Sequence, residues 1–259
     1  MSWQYLAVAT EAVLRAGAIQ RARYGQKLDI RFKGEIDLVT DVDRACEDAI
    51  LDTIRSRFAD HDIVTEETRL ARTGSPFLWF IDPLDGTVNF AHGYPFFCAS
   101  VAVAAGPEVV AGAVFDPIKQ ELFTAEKGGG SYVNGRRLEV SETSELLHGL
   151  LITGFPYDVR TDVEGKVALF KRFLAHAQAV RRDGSAALDL CYLAAGRIDG
   201  FWEERLNSWD MMAGKLIIEE AGGRVSRFDG TPLGLGDDEI VASNGVLHPA
   251  LLDVLREER

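Results

Sequence analysis

Between residues 97 and 140 the chain repeats one arrangement, a short apolar run followed by a turn. The runs FCASVAVAA, EVVAGAVFD, QELFTAEKG, GSYVNG and RRLEVS are punctuated by Gly-Pro, Asp-Pro, Gly-Gly-Gly and Asn-Gly. Connections this short join antiparallel strands, because a parallel crossover needs a dozen or more residues. Any fold for this chain must therefore contain an antiparallel sheet. Ahead of it, residues 1–25 predict an amphipathic helix with Trp3, Leu6, Ala7, Val13, Leu14, Gly17 and Ala18 as its apolar stripe and Gly25 as its stop. LDIRFKGEIDLVT predicts extended chain with a turn. DVDRACEDAILDTIRSRF predicts a second helix, with Val42, Ala45, Cys46, Ala49, Ile50, Thr53, Ile54 and Phe58 on one face. A short strand leads into VTEET, a polar loop runs through Ser75, and FLWFI reads as a buried strand ending at Asp82.

From about residue 147 the rhythm changes. GLLITGF, AVRRDG, RIDGFWE and EIVASN predict strands. They alternate with helices over 162–177, SAALDLCYLAAG, SWDMMAGKLIIEEAGG and a last one beginning near Pro249, a good first-turn residue. The expectation is an α+β lobe over 1–145 and an α/β lobe over 146–259. No repeat, low-complexity tract or linker separates them, so the two are expected to be fused into one globular unit.

Composition narrows the function. The formal net charge of -12 in 259 residues disfavours generic binding to nucleic acid or an anionic membrane, which relies on an excess of lysine and arginine. No run of 18 apolar residues occurs and the amino terminus lacks a signal-type apolar block, so a cytoplasmic protein that spans no membrane is expected. Cys46, Cys98 and Cys191 lie in separate apolar segments without metal-like spacing and read as buried free thiols.

The chemistry gathers around WFIDPLDGTVNF. Five apolar residues drive a strand inward, so Asp82 emerges at its carboxyl end, where open α/β proteins place ligands. Pro83 stiffens the turn, Gly86 permits close backbone approach, and Thr87 can open a helical turn whose free N–H groups face an anion. Taken alone, Asp82 and Asp85 are equally well an Asx-turn or a helix cap. Carboxylates beside an anion-binding turn repel that anion unless a hard cation lies between them. Glu66 and Glu67 in VTEET, and Asp210 in NSWDMMAG after the capping candidates Asn207 and Ser208, supply further oxygens. Each also has a plain reading, as a solvated loop or as complement to a helix dipole. Thr40 and Asp43 fit a near-capping box, and Asp43 could instead accept a hydrogen bond from a hydroxyl to be polarised. Both readings stand on the spacing.

Six blocks in order, DLVTDVD, VTEET, WFIDPLDGTVNF, GSAALDL, GRIDGFWE and WDMMAGKLIIEEAGG, resemble the inositol monophosphatase family of lithium-sensitive, magnesium-dependent phosphatases. The resemblance covers nearly the whole chain and implies a layered αβαβα sandwich of the sugar phosphatase type. It implies two to three Mg²⁺ ions held by Glu66, Asp82, the Leu84 carbonyl, Asp85 and Asp210. Thr87, hydrogen-bonded to Asp43, would orient the attacking water, with Glu66 also counted as catalytic. Gly86 and Thr87 would hold phosphate, and Asp85, Gly184, Ser185, Ala186, Glu203 and Asp210 would meet the substrate. Ser185 is also a plain N-cap candidate, and Lys33 and Glu67 are accessory positions. Met211-Met212 departs from the smaller residues usual there.

The activity implied is hydrolysis of myo-inositol 1-phosphate and related polyol phosphates by metal-activated water. Histidinol phosphate, fructose 1,6-bisphosphate and 3′-phosphoadenosine 5′-phosphate are the rival substrates. Glu203 suits a neutral polyol better than an extra phosphate. A homodimer is implied as well. The reading of another class is a regulatory protein that uses its acidic surface to bind a partner in a transcription complex.

Overall fold

The computed structural model describes residues 3–32 and 34–257. The chain opens with α1 (Trp3–Arg23), the antiparallel pair β1 (Ile30–Phe32) and β2 (Leu38–Thr40), and α2 (Asp41–Arg55). Then come β3 (Asp62–Thr65), β4 (Phe77–Asp85), the short helix α3 (Thr87–Ala91), β5 (Cys98–Ala105), β6 (Glu108–Asp116), β7 (Glu121–Glu126), β8 (Gly130–Val133) and β9 (Arg136–Arg137). These last seven strands pair in the order β3-β4-β5-β6-β7-β8-β9, and all the pairs are antiparallel except β3–β4. The antiparallel sheet required by residues 97–140 is therefore present, although RRLEVS contributes only two residues to it.

The second half supplies β10 (Leu150–Thr153), α4 (Val163–His176), β11 (Ala179–Arg181), α5 (Ala186–Ala194), β12 (Gly200–Glu204), α6 (Ser208–Glu220), β13 (Arg224–Ser226), β14 (Glu239–Ser243) and α7 (His248–Arg256). Its five strands order as β11-β10-β12-β14-β13. The β10–β11 and β10–β12 pairs are parallel; β12–β14 and β13–β14 are antiparallel. The edge strand β13 escapes sequence reading because RVS is too short to show a period.

Side-chain alternation along the strands shows how the layers stack. On β4, Trp79 and Ile81 pack toward α1 and α2, whereas Leu78 and Phe80 join α5 and α6. On the second sheet, Ile152, Phe201 and Ala242 face that same inner cluster, while Leu151, Trp202 and Val241 pack with Phe173 of α4 and Leu251 of α7. The order is helix, sheet, helix, sheet, helix: an αβαβα sandwich. Strands covered on both faces read as continuous apolar runs rather than as alternation, which is why FLWFI looks uniformly buried.

Two helix faces differ from the expectation. The buried face of α1 is Val8, Ala9, Ala12, Val13, Ala16, Gly17 and Gln20, whereas Trp3, Ala7, Leu14 and Ala18 are exposed. Small residues are spread around this helix, so periodicity alone admits neighbouring stripes; Val13 and Gly17 belong to both, and close packing selects the stripe with Ala9, Ala12 and Ala16 beside Gly17, where a Cβ would collide with the Phe115 ring. On α2, Ala45 is exposed, Phe58 lies beyond the helix end, and Asp43 and Glu47 are buried beside Val42, Cys46 and Ile50. All three cysteines are free and buried.

At the start of α7, His248 is fully buried between Ser226 and Ser243, whose hydroxyls lie 2.8 Å and 3.0 Å from its two ring nitrogens. Burial, with Arg224 nearby, lowers its pKa from 6.5 to about 4. The folded state thus binds fewer protons than the unfolded chain, so this contribution is complete above pH ~6.5 and is lost as pH falls toward 4. In His248→Gln the decline of Tm from pH 6.5 to pH 4 should be shallower than in the wild type, as followed by circular dichroism.

Candidate active site

The β4 strand delivers two aspartates through a bulge. Asp82 pairs with Ser100 and Asp85 with Cys98, so Pro83 and Leu84 oppose Ala99 alone, and the strand end bends out of register. Backbone groups freed by the bulge meet side-chain atoms. The Leu84 N–H donates to Asp82 Oδ1 at 2.9 Å, and the Thr87 hydroxyl lies 2.9 Å from the Leu84 carbonyl. From α1, the buried Gln20 Nε2 donates to the Pro83 carbonyl at 2.8 Å and to that of Cys98 at 3.1 Å. Gly86 follows with φ of 91°, and a Cβ there would meet the Phe96 carbonyl at 2.9 Å. Only glycine satisfies both the left-handed turn and that contact.

Asp43 makes the hydrogen bonds that each of its two readings calls for. Its Oδ2 closes a capping box with Thr40, accepting from the backbone N–H at 2.8 Å and the hydroxyl at 2.5 Å. Its Oδ1 accepts the Thr87 hydroxyl at 3.0 Å. With the side chain out of solvent, Asp43 can act on a ligand only through Thr87.

The other groups arrive from three directions. Glu66 follows β3, Glu203 sits on β12, and Asp210 lies in the first turn of α6, where its Oδ2 accepts the Asn207 N–H at 2.7 Å. Gly154 has no Cβ, and one there would collide with the Glu203 carboxylate. Together with Asp82, Leu84, Asp85, Gly86, Thr87, Gly184, Ser185 and Ala186 they line one cavity of about 370 Å³, ample for a small polar ligand. Asp43 stands behind the wall. Glu67 is off it, its N–H donated to Glu47 at 3.0 Å. Lys33 lies outside the described residues.

Ser185 departs from the capping expectation. It occupies the N-cap position of α5, but its side chain makes no cap hydrogen bond. Its hydroxyl donates instead to Asp85 Oδ2 at 2.6 Å, and the same oxygen accepts the Ala187 N–H at 2.8 Å. Asp85 therefore takes over the cap of α5 from another element, locking the end of β4 to the second sheet's helix. Asn89 adds a second tie, donating to the Asp183 carbonyl at 2.8 Å.

These carboxylates hold one another's charge in check. Burial pushes the pKa of Asp82 well above the carboxylate range, and Glu66, Asp85 and Asp210 raise it further. Asp210 is raised by burial and then by Asp85 and Glu66; Asp85 is raised by burial and drawn back by the Ser185 and Ala187 bonds. Glu203 is pushed up to about 8 by burial, against the pull of Arg182. Among the described residues none of the three aspartates is ion-paired with a lysine or arginine.

A shared, buried, all-oxygen donor set of this kind fits a hard divalent cation, which would remove both the repulsion and the desolvation cost. Among the described residues no three acidic, histidine or cysteine side chains close on one point as a finished coordination shell.

Several supporting residues were not legible in sequence. Gln20 looks like an ordinary surface glutamine. Glu47 accepts the Thr65 hydroxyl at 2.6 Å as well as the Glu67 N–H, both on Oε2, and so brackets Glu66. The available signal was an acid four residues after Asp43 on the apolar side of α2. Arg182, Tyr157 and Asp189 also line the cavity.

A model of the inositol monophosphatase family matches residues 2–259. The chain belongs to the inositol monophosphatase family. It is 45% identical to inositol-1-monophosphatase of Synechocystis, over 97% of this chain and 88% of that protein. It is 40% identical to fructose-1,6-bisphosphatase/inositol-1-monophosphatase of Aquifex aeolicus, over 98% and 96% of the two chains. The solved inositol monophosphatase structure from Anabaena superposes with a TM-score of 0.89 at 41% identity, covering 98% of this chain and 95% of that one. Family membership implies a divalent-metal-dependent phosphatase, and the acidic cavity is chemically suited to that role.

Neutralising one buried acid should separate stability from metal binding. In EDTA, Asp82→Asn should raise Tm, because it removes unpaired buried charge. It should also abolish the upward shift that Mg²⁺ gives the wild type, which reflects a stabilisation of about 2.7 kcal/mol at 100 Kd; differential scanning calorimetry reads both. Glu47→Ala should retain the fold while weakening Mg²⁺ binding roughly tenfold in calorimetric titration, through loss of hydrogen bonds to charge.

Proposed function

We propose that the protein is a Mg²⁺-dependent phosphomonoesterase that hydrolyses myo-inositol 1-phosphate and related polyol phosphates to the alcohol and phosphate. The observation that carries this reading is the meeting, in one cavity, of the mutually repelling aspartates Asp82, Asp85 and Asp210 with a Thr87 hydroxyl backed by buried Asp43. Two to three magnesium ions would be held by Glu66, Asp82, the Leu84 carbonyl, Asp85 and Asp210. When bound, magnesium supplies Lewis-acid chemistry: a lowered water pKa and compensation of charge on the leaving oxygen.

The chain's own groups do the rest. Asp43, fixed by Thr40, accepts the Thr87 proton and so leaves the Thr87 oxygen lone pairs turned to the cavity, ready to accept from the attacking water. Glu66 shares that side. The Gly86 and Thr87 N–H groups, at the sharp turn that only glycine permits, hold phosphate oxygens and align the ester for in-line displacement. At the other end, Glu203 accepts a hydroxyl of the leaving alcohol; Asp85, Gly184, Ser185, Ala186 and Asp210 complete its surroundings. Glu67 and Lys33 are accessory to the same site.

One observation speaks for a bisphosphate substrate, the Arg182 guanidinium in the cavity wall. Its charge, however, faces the carboxylates of Asp183, Asp189 and Glu203. That surplus of negative charge favours a neutral polyol over a second phosphate. The homodimer implied by the resemblance belongs to this reading and is measured by sedimentation velocity.

Phosphate release from myo-inositol 1-phosphate should require Mg²⁺, vanish in EDTA and be inhibited by lithium. Thr87→Ala and Asp43→Asn should lower kcat by roughly 10²–10⁴ with smaller changes in KM. In a panel of inositol 1-phosphate, histidinol phosphate, fructose 1,6-bisphosphate and 3′-phosphoadenosine 5′-phosphate, the first should have the highest kcat/KM. Full turnover in EDTA would overturn the metal dependence, and a preference for a bisphosphate would overturn the substrate.

A further inference from the structure

Asp189 is a buried carboxylate without a structural partner. It lies in the first turn of α5, is 1% exposed, and its Oδ1 has no hydrogen-bond partner. Nor does the side chain cap its own helix, since the Ala187 N–H at the start of α5 is taken by Asp85. Three acids face it: Asp183 from the segment before α5, Glu203 from β12 and Asp85 from the end of β4. Arg182 is the cation on that side, and it faces Asp183 and Glu203 as well. The guanidinium is held against Gly184, where a Cβ would stand 2.8 Å from Nη1.

Burying an ionisable oxygen without a donor is costly, and native proteins pair such groups with few exceptions. Capping and a direct ion pair are both absent here, and a carboxylate contributes little as packing. Asp189 does border the cavity, on the side of Glu203 and Gly184. A donor entering that cavity would satisfy it, and a polyol brings several hydroxyl donors on one small ring. An alcohol with no hydroxyl beyond the ester oxygen brings none.

We propose that Asp189 is a specificity-determining residue whose carboxylate accepts a hydrogen bond from a hydroxyl of the leaving polyol, next to the one accepted by Glu203. Arg182 offsets the charge of the two acceptors without occupying either. The assignment rests on the phosphatase reading above and extends it to the choice of alcohol: two neighbouring acceptors select leaving groups with at least two hydroxyls near the ester.

The test compares myo-inositol 1-phosphate with phenyl phosphate, in the presence of Mg²⁺, for wild type, Asp189→Asn and the apolar near-isostere Asp189→Leu. Loss of a charged acceptor should lower the ratio of kcat/KM for the inositol ester over the phenyl ester by roughly 10–100-fold in Asp189→Leu, chiefly through KM, and by less in Asp189→Asn. Metal-free Tm should be equal to or above that of the wild type, because an unpaired charge has been removed. An unchanged ratio overturns the proposal, as does failure of both variants to fold, which would make Asp189 a structural residue. A wild type that hydrolyses neither ester overturns the phosphatase reading itself, an outcome distinct from a variant that keeps the wild-type ratio.

Discussion

Three aspartates that repel one another are held at the edge of a single cavity, and much of the architecture can be understood as the means of holding them there. Asp82 and Asp85 end β4, Asp210 begins α6, and burial raises the pKa of each. Such groups stay together only if the elements that carry them cannot move apart. The β4 strand is anchored on both faces, by Trp79 and Ile81 against α1 and α2 and by Phe80 against α5 and α6. The α6 helix is anchored by the fully buried Met211 and Met212 immediately after the aspartate. Apolar area buried at roughly 25 cal/mol per Å² on both sides of the sheet outweighs the local repulsion.

Local hydrogen bonds perform the finer positioning, and several serve stability and the site at once. The capping box that begins α2 leaves one Asp43 oxygen for Thr87. The cap of α5 is supplied by Asp85, so helix stability and the placement of that carboxylate are one interaction. Gln20 reaches from the first helix to the bulge, and Glu47 holds the Thr65 hydroxyl and the Glu67 N–H on either side of Glu66. A polar group in these positions is bound on one side by the fold and turned on the other toward the cavity or toward a group that lines it.

The legible parts of the fold were those set by short-range rules. Turn residues between 97 and 140 dictated antiparallel pairing, and the change of rhythm after 147 gave the second set of strands and helices. The acids of VTEET and WFIDPLDGT were visible as candidates because they follow apolar runs, and that of NSWD because it follows helix-cap residues. What failed were statements about which face is buried when the residues are small. Trp3 and Leu14 belong to a plausible stripe of α1, yet the helix turns Ala12, Ala16 and Gly17 inward because β6 presents Phe115 there. Ser185 reads as a cap by position, but Asp85, a hundred residues earlier in the chain, claims its hydroxyl.

The sequence by itself determined most of the elements, the order of the acidic blocks and their family resemblance, since these depend on local propensity and on residue identity. Tertiary structure alone decided which acids share a cavity, which polar groups are spoken for, and that Asp189 is left without a partner. These are properties of distance between segments far apart in the chain, and hydrogen bonds and charge repulsion act only at such contacts. A motif can name a carboxylate, but its burial, its neighbours and the oxygen it leaves toward the cavity arise when the two sheets close around it.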